Sequence, residues 1–117
     1  MLKQTLVATA LLASSVLAAG PGCIWNAYCT GWGDNYSCYS CPAKVDLDAR
    51  GCAKVSGCGT RITNKYRAGQ LIRITCQTSG ENYGGSSIWD RDEDGHYVPD
   101  AYVRTGTSGW LADTRRC

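Results

Sequence analysis

Ser86-Ser87-Ile88-Trp89-Asp90-Arg91 runs into Asp92-Glu93-Asp94-Gly95 and then His96-Tyr97-Val98. The first of these segments is rich in β-formers and is entered through Gly84-Gly85, the pattern of a strand following a tight turn. Asp-Gly is a strong hairpin signal because both residue types tolerate positive φ. The stretch therefore predicts strand, turn and strand, and in the simplest register Trp89 and Tyr97 face each other across the turn. Upstream, Leu71-Ile72-Arg73-Ile74-Thr75-Cys76 reads as a β-branched strand behind a Gly69 turn. Lys44-Val45-Asp46-Leu47-Asp48-Ala49-Arg50 alternates polar and apolar residues as a half-buried strand does. Downstream, Pro99-Asp100-Ala101-Tyr102-Val103-Arg104 contains a turn and a short strand, and Trp110 and Leu111 precede Cys117. No segment shows a convincing helical period. The expected class is all-β, a small barrel or sandwich built from about five short strands.

The N-terminal third reads differently. Met1 to Gln4 carries one positive charge, Thr5 to Val16 is almost wholly apolar or small, and Val16-Leu17-Ala18 supplies short residues at a cleavage site. This is the layout of a secretory signal peptide over residues 1–18, cleaved after Ala18 or alternatively after Ala19. It is too short to span a bilayer. The expectation is a secreted, extracellular protein with no membrane attachment after cleavage. Residues 19–41 hold Cys23, Cys29, Cys38 and Cys41 together with Trp25, Tyr28, Trp32, Tyr36 and Tyr39. Gly20, Gly22, Gly31 and Gly33 interrupt any period, which predicts a loop-rich, stapled segment. Asn35-Tyr36-Ser37 is an N-glycosylation sequon and places Asn35 at the surface. Residues 42–117 are expected to form the β domain.

Composition narrows the functional classes. The chain has 117 residues, with 12 Lys plus Arg against 10 Asp plus Glu, a formal charge of +2. So small an excess, not gathered on one element, excludes nucleic-acid binding through bulk electrostatics. His96 is the one histidine, so a His-based metal site would have to recruit Cys or carboxylates. The eight cysteines (Cys23, Cys29, Cys38, Cys41, Cys52, Cys58, Cys76 and Cys117) all lie beyond the leader. In a small secreted chain that even number predicts four disulfides, whose pairing the sequence leaves open. Cys38-Tyr-Ser-Cys41 is a lone C-x-x-C without a second copy for zinc or a helix for redox chemistry, so two half-cystines explain it. With no Phe, the core must draw its aromatic volume from Trp and Tyr.

Several of these segments, taken in order, resemble one known family. Gly69-Gln70, Ile72-Arg-Ile-Thr-Cys-Gln77, Gly80, Gly85-Ser-Ser-Ile-Trp-Asp90 and Asp94-Gly-His-Tyr-Val-Pro-Asp-Ala-Tyr-Val-Arg-Thr-Gly106 resemble a secreted SH3-like cell-wall-binding domain of fungal and actinobacterial type. The resemblance covers about residues 43–117. It implies a small SH3-like β-barrel carrying a disulfide-rich N-terminal extension, and it implies pairing of Cys76 with Cys117. It further implies a non-catalytic binder of cell-wall polysaccharide or its oligosaccharides, peptidoglycan or chitin-type N-acetylglucosamine polymers. Two departures stand out. Gly51-Cys52-Ala-Lys-Val-Ser-Gly57-Cys58 replaces the family's Ser-Gly-Pro turn with a small disulfide-held loop, and His96 stands where fungal relatives often carry Cys.

For such a ligand the expected contacts are aromatic faces against sugar rings with polar groups at their edges. Tyr66, Trp89, Tyr97, Tyr102 and Trp110 supply the faces, and Asp90 and Asp100 the acceptors. Trp89 is also the first candidate for core, whereas Tyr102 and Tyr66 are better placed to line a groove. Asp90, Asp92 and Asp94 followed by Gly95 fit the start of a calcium loop, but the twelfth position is Ala101 rather than Glu, and a polar hairpin turn explains the same residues. Glu81, Glu93, Asp90 and Asp100 offer carboxylates for glycan hydrolysis, yet so small a scaffold lacks a deep cleft, so no enzyme, cofactor or metal is expected. The second functional reading is a secreted Cys-rich effector, inhibitor or antimicrobial protein that acts through a protein partner, with residues 19–41 carrying the activity. Either form is expected to be a monomer.

Overall fold

A computed structural model describes residues 22–31 and 34–117; the expected leader, residues 1–18, lies outside them. Eight strands follow one another: β1 (Ile24–Gly31), β2 (Asp34–Pro42), β3 (Leu47–Arg50), β4 (Arg61–Tyr66), β5 (Leu71–Ile74), β6 (Cys76–Tyr83), β7 (Ser86–Arg91) and β8 (Tyr97–Pro99). A single 3-10 turn, Asp100–Tyr102, closes the sequence of elements.

The strands form two open sheets. One has three strands in the order β1-β2-β5, and the other five in the order β4-β3-β8-β7-β6. This corrects the expectation of an SH3-like barrel. Neither sheet closes on itself, and β5, instead of completing a barrel, pairs antiparallel with β2 from Tyr39↔Ile74 to Pro42↔Leu71. The chain changes sheets at Thr75, the one residue between β5 and β6, where the Thr75 backbone N–H and hydroxyl both donate to the Arg91 carbonyl. With the barrel go the assignments that rested on it: the fold does not support a cell-wall, peptidoglycan, chitin or other carbohydrate-binding domain.

The N-terminal segment is also not loop-rich. β1 and β2 pair antiparallel, with a register shift between Asn26 and Cys29. Two disulfides, Cys23–Cys41 and Cys29–Cys38, clamp this hairpin along its length. Cys52–Cys58 closes the loop after β3, and Cys76–Cys117 ties the C-terminal segment to the start of β6. All eight cysteines are paired, as their even number predicts.

Local chemistry accounts for the turns. Tyr83 pairs with Ser86, leaving Gly84 and Gly85 as a two-residue loop with φ of +68° and +89°, the conformation that matches strand twist and that Gly adopts freely. After β7, Asp92 takes over. Its Oδ1 accepts from the backbone N–H groups of Asp94 and His96 at 2.9 and 2.8 Å, an Asx-type turn completed by Gly95 at φ +85°.

The core lies between the sheets. β5 alternates strictly, with Ile72 and Ile74 inside and Leu71 and Arg73 outside. Tyr39 and Cys41 of β2 meet Ile74 and Ile72 on that inner face, while Leu47, Ala49, Tyr66 and Val98 contribute from the other sheet. Trp89 is completely buried, its Nε1–H donating to the Glu81 carbonyl at 2.8 Å and its ring stacked on Tyr83. In the absence of Phe, Trp and Tyr supply the aromatic interior.

Candidate functional site

The residues expected to bind a ligand are dispersed. Trp89 and Asp90 are inside the molecule, Tyr66 is buried with its hydroxyl on Asp92, and Asp100 is nearly so. Tyr97 pairs with Arg91 while Trp89 pairs with Pro99, so the two aromatics do not face each other. The turn from Asp92 to His96 is longer than the simplest hairpin and shifts the register. The Arg91 guanidinium lies over the Tyr97 ring at 5.8 Å. Tyr102 is half-buried against Tyr83, ring centroids 5.4 Å apart, and the two line a shallow cleft with Asp46, Asp48 and Arg61. Trp110 is exposed but capped by the Arg116 guanidinium 3.7 Å above its ring, a cation–π stack. Asn35, on β2, pairs with Thr30 of β1; its side chain lies outside the described part of the structure.

The carboxylates form two separate polar clusters rather than one metal loop. In the first, Asp92 Oδ2 accepts from Lys65 Nζ and from the Tyr66 hydroxyl, each at 2.7 Å. Lys65 also pairs with Asp94 at 2.9 Å and donates to His96 Nδ1 at 3.1 Å. A lysine ammonium thus sits between Asp92 and Asp94, where a calcium ion would need those oxygens. Among the described residues no three His, Cys, Asp or Glu groups are placed to hold a metal. Burial alone would raise Asp92, but the bonds from Lys65, Tyr66 and the His96 N–H hold its carboxyl below the usual range. Burial and the same carboxylate push the Tyr66 phenol well up. For Lys65, burial would lower the ammonium, yet its bonds to Asp92 and Asp94 carry it above its ordinary value.

The second cluster is centred on Gln77. Its Nε2 donates to Asp90 Oδ1 at 2.8 Å and to Asp100 Oδ1 at 3.3 Å, and its Oε1 accepts from the Leu111 N–H at 2.8 Å. Burial, then the neighbouring Asp100, drives Asp90 well above the ordinary carboxylate range. Burial likewise raises Asp100, against the opposing pull of Asp90, Lys44 and Gln77. Asp90 Oδ2 is buried without a hydrogen-bond partner, which adds to the cost of ionising this carboxyl. Of the carboxylates considered for hydrolysis, Asp90 is sealed in, Glu81 Oε1 accepts from the Val55 N–H, and Glu93 is exposed on the turn.

The surface feature without an internal explanation is β1. It pairs with β2 alone among the described strands, so its other edge offers backbone donors and acceptors. Ile24-Trp25-Asn-Ala-Tyr-Cys-Thr-Gly31 contains no charged residue and no Pro, the usual guards of an edge. Ile24 and Trp25 are 52 % and 40 % exposed. Trp25 pairs with Tyr39 in the inward-facing row and Ile24 with Ser40 in the outward-facing one, so both sides of the strand are apolar at its start. The sequence reading noted Trp25 only among the aromatics of this segment and missed Ile24. The uncharged run from 24 to 31 was the signal available.

No protein-family model matches the chain, and no curated protein matches it. What the structure itself defines is a small, disulfide-rich, mostly β protein of two open sheets.

Proposed function

We propose that this is a secreted, cysteine-rich protein of the effector, inhibitor or antimicrobial kind, acting without catalysis by docking a protein partner along β1. One observation carries the reading: an uncharged, unpaired edge strand with two exposed apolar side chains is held rigid by two disulfides. A partner segment added to such an edge gains main-chain hydrogen bonds, while Ile24 and Trp25 provide side-chain anchors. The bridges Cys23–Cys41 and Cys29–Cys38 fix the hairpin beforehand, so less ordering cost falls on binding. The leader-like residues 1–18 support an extracellular setting.

The test uses the disulfide-intact protein, fluorescently labelled, on intact target cells and on insoluble peptidoglycan, chitin and cellulose in parallel. Binding to cells is expected to disappear when they are pretreated with protease, and to fall at least about tenfold in the Ile24→Lys/Trp25→Lys variant. Retention on an isolated polymer, or cell binding that survives protease but not glycan removal, would overturn the reading.

A further inference from the structure

A second feature lies away from β1. An open cleft of about 490 Å³ is bounded by the Gly84–Gly85 turn, the 3-10 turn and the loop over residues 104–108. Two cations, Lys44 and Arg104, line it. Their placement follows from the backbone. Ala43 and Val103 form an antiparallel bridge, both with side chains buried, so the flanking residues 44 and 104 point to the opposite, solvent side. The Lys44 N–H bonds the Tyr102 carbonyl and the Arg104 N–H the Pro42 carbonyl, which makes Lys44 and Arg104 diagonal neighbours, about 7–8 Å apart at Cα.

Two like charges at that spacing repel unless something answers them. Lys44 is felt by the buried Asp100, but neither cation forms an ion pair in the described structure. The ion pairs among the described residues belong to Arg61, Lys65 and Arg67. Lys44 Nζ donates to the Ala101 carbonyl at 3.0 Å, which fixes the ammonium at the cleft and leaves two of its three hydrogens for a ligand. The nearest acid, Asp100, also lines the cleft but is buried and engaged with Gln77 and Asp90. Its charge tempers the site without occupying it. The hydroxyls at the rim are set to donate. Ser86 Oγ accepts from the Ile88 N–H at 3.1 Å and Thr107 Oγ1 from the Gly109 N–H at 3.1 Å, so each hydroxyl hydrogen remains for an acceptor in the cleft.

We infer that this cleft binds a carboxylate, clasped between the Lys44 ammonium and the Arg104 guanidinium with hydroxyl donors from Ser86 and Thr107. Arginine offers the two-pronged geometry that a carboxylate matches, and lysine a point charge beside it. An acidic side chain of a peptide or a free small carboxylate would satisfy this chemistry equally. The site does not depend on the β1 edge, and its failure would leave the edge reading intact.

The experiment is a titration of the isotope-labelled, disulfide-intact protein, read as amide chemical shifts. The probes are a blocked tetraglutamate peptide, its tetraglutamine analogue and acetate. Saturable shifts are expected at residues 84–86 and 104–108 with tetraglutamate and not with tetraglutamine, weakening as salt is raised because the site is open to solvent. Lys44→Gln and Arg104→Gln are each expected to weaken binding about tenfold, the loss of one charge-assisted contact, whereas Arg73→Gln, an exposed cation on β5, leaves it unchanged. Arg104→Lys should recover part of the affinity. Acetate reproducing the same shifts upholds the carboxylate site and assigns it to small acids rather than peptides. Equal response to tetraglutamine, shifts that persist in the Lys44→Gln/Arg104→Gln double variant, or no saturable shift would overturn the inference.

Discussion

The two sheets protect their edges in opposite ways. In the five-stranded sheet, β4 carries Arg61, Asn64 and Lys65, with Arg61 paired to Asp48 and Lys65 to Asp92. On the other side, the outer edge of β6 is covered at Gln77, whose N–H bonds the Arg115 carbonyl and whose carbonyl accepts from the Cys117 N–H. Charge guards one edge and a returning segment shields the other. The three-stranded sheet does neither at β1, where two disulfides hold an uncharged strand in place. An edge made rigid yet left unguarded is suited to being covered by another chain.

The largest expected effect falls on the sheet held by packing. Trp89→Ala should cost about 3–5 kcal/mol, read by chemical denaturation with disulfides intact, because it empties a completely buried site and orphans the Glu81 carbonyl. A cost below about 1 kcal/mol would show that packing around Trp89 adds little to what the Cys52–Cys58 and Cys76–Cys117 bridges already hold. Replacing Cys23 and Cys41 together by Ser should cost about 3 kcal/mol by the chain-entropy argument for their 18-residue separation. That loss should appear first as protease nicking within residues 22–42, with the five-stranded sheet still folded. Simultaneous melting of both sheets would show that the bridge supports the whole molecule rather than its hairpin.

The smallest effect sharpens the comparison through pH. Asp90 has a raised pKa in the folded protein. Above the ordinary carboxylate value of about 3.9 the unfolded chain releases that proton while the folded pair keeps it. Stability contributed by Asp90 is therefore full in acid and declines as pH rises towards its folded pKa. Asp92, held low, acts with the opposite sign: its contribution is present above the ordinary value and is lost as pH falls through its lowered pKa. Asp90→Asn removes the Asp90 proton equilibrium and should flatten the decline of thermal midpoint as pH rises above the ordinary carboxylate value, by a few degrees. An unchanged slope would show that Asp90 is ionised in the native protein.

Much of the five-stranded sheet was legible in the sequence. Ser86–Arg91 is a strand over the residues expected, and Gly84–Gly85 and Asp94–Gly95 make their turns; in the three-stranded sheet the strand expected over Leu71–Cys76 is present but ends at Ile74. Four strands were not legible, β6 (Cys76–Tyr83) among them, where Gly80 and a run of exposed polar residues hide the period. β1 and β2 lack a clean period because two disulfides, not one apolar face, hold them, and a register shift interrupts their pairing. β4 is a polar edge strand with one fully buried residue, Tyr66, and Asn64 at φ +49° breaks its alternation. The resemblance to a barrel domain matched local turns and strands, which two sheets meeting at Thr75 can share, and missed the pairing of β5 with β2, a contact between segments far apart in sequence. Of the five aromatics singled out for a ligand, Tyr66 and Trp89 are spent on the interior, since a core without Phe has few other large side chains.

Gln77 has a bearing on how the bridges come to be formed. Its side-chain oxygen is satisfied by Leu111 and its backbone by Arg115 and Cys117, so docking of residues 111–117 on Gln77 places Cys117 beside Cys76. A chain that oxidised Cys76 with a different thiol would draw residues 111–117 away and leave the buried Gln77 Oε1 without its Leu111 donor, at a cost of about 1–3 kcal/mol. Thiol exchange therefore returns such isomers towards the native bond. At this corner a single amide proofreads the disulfide next to it.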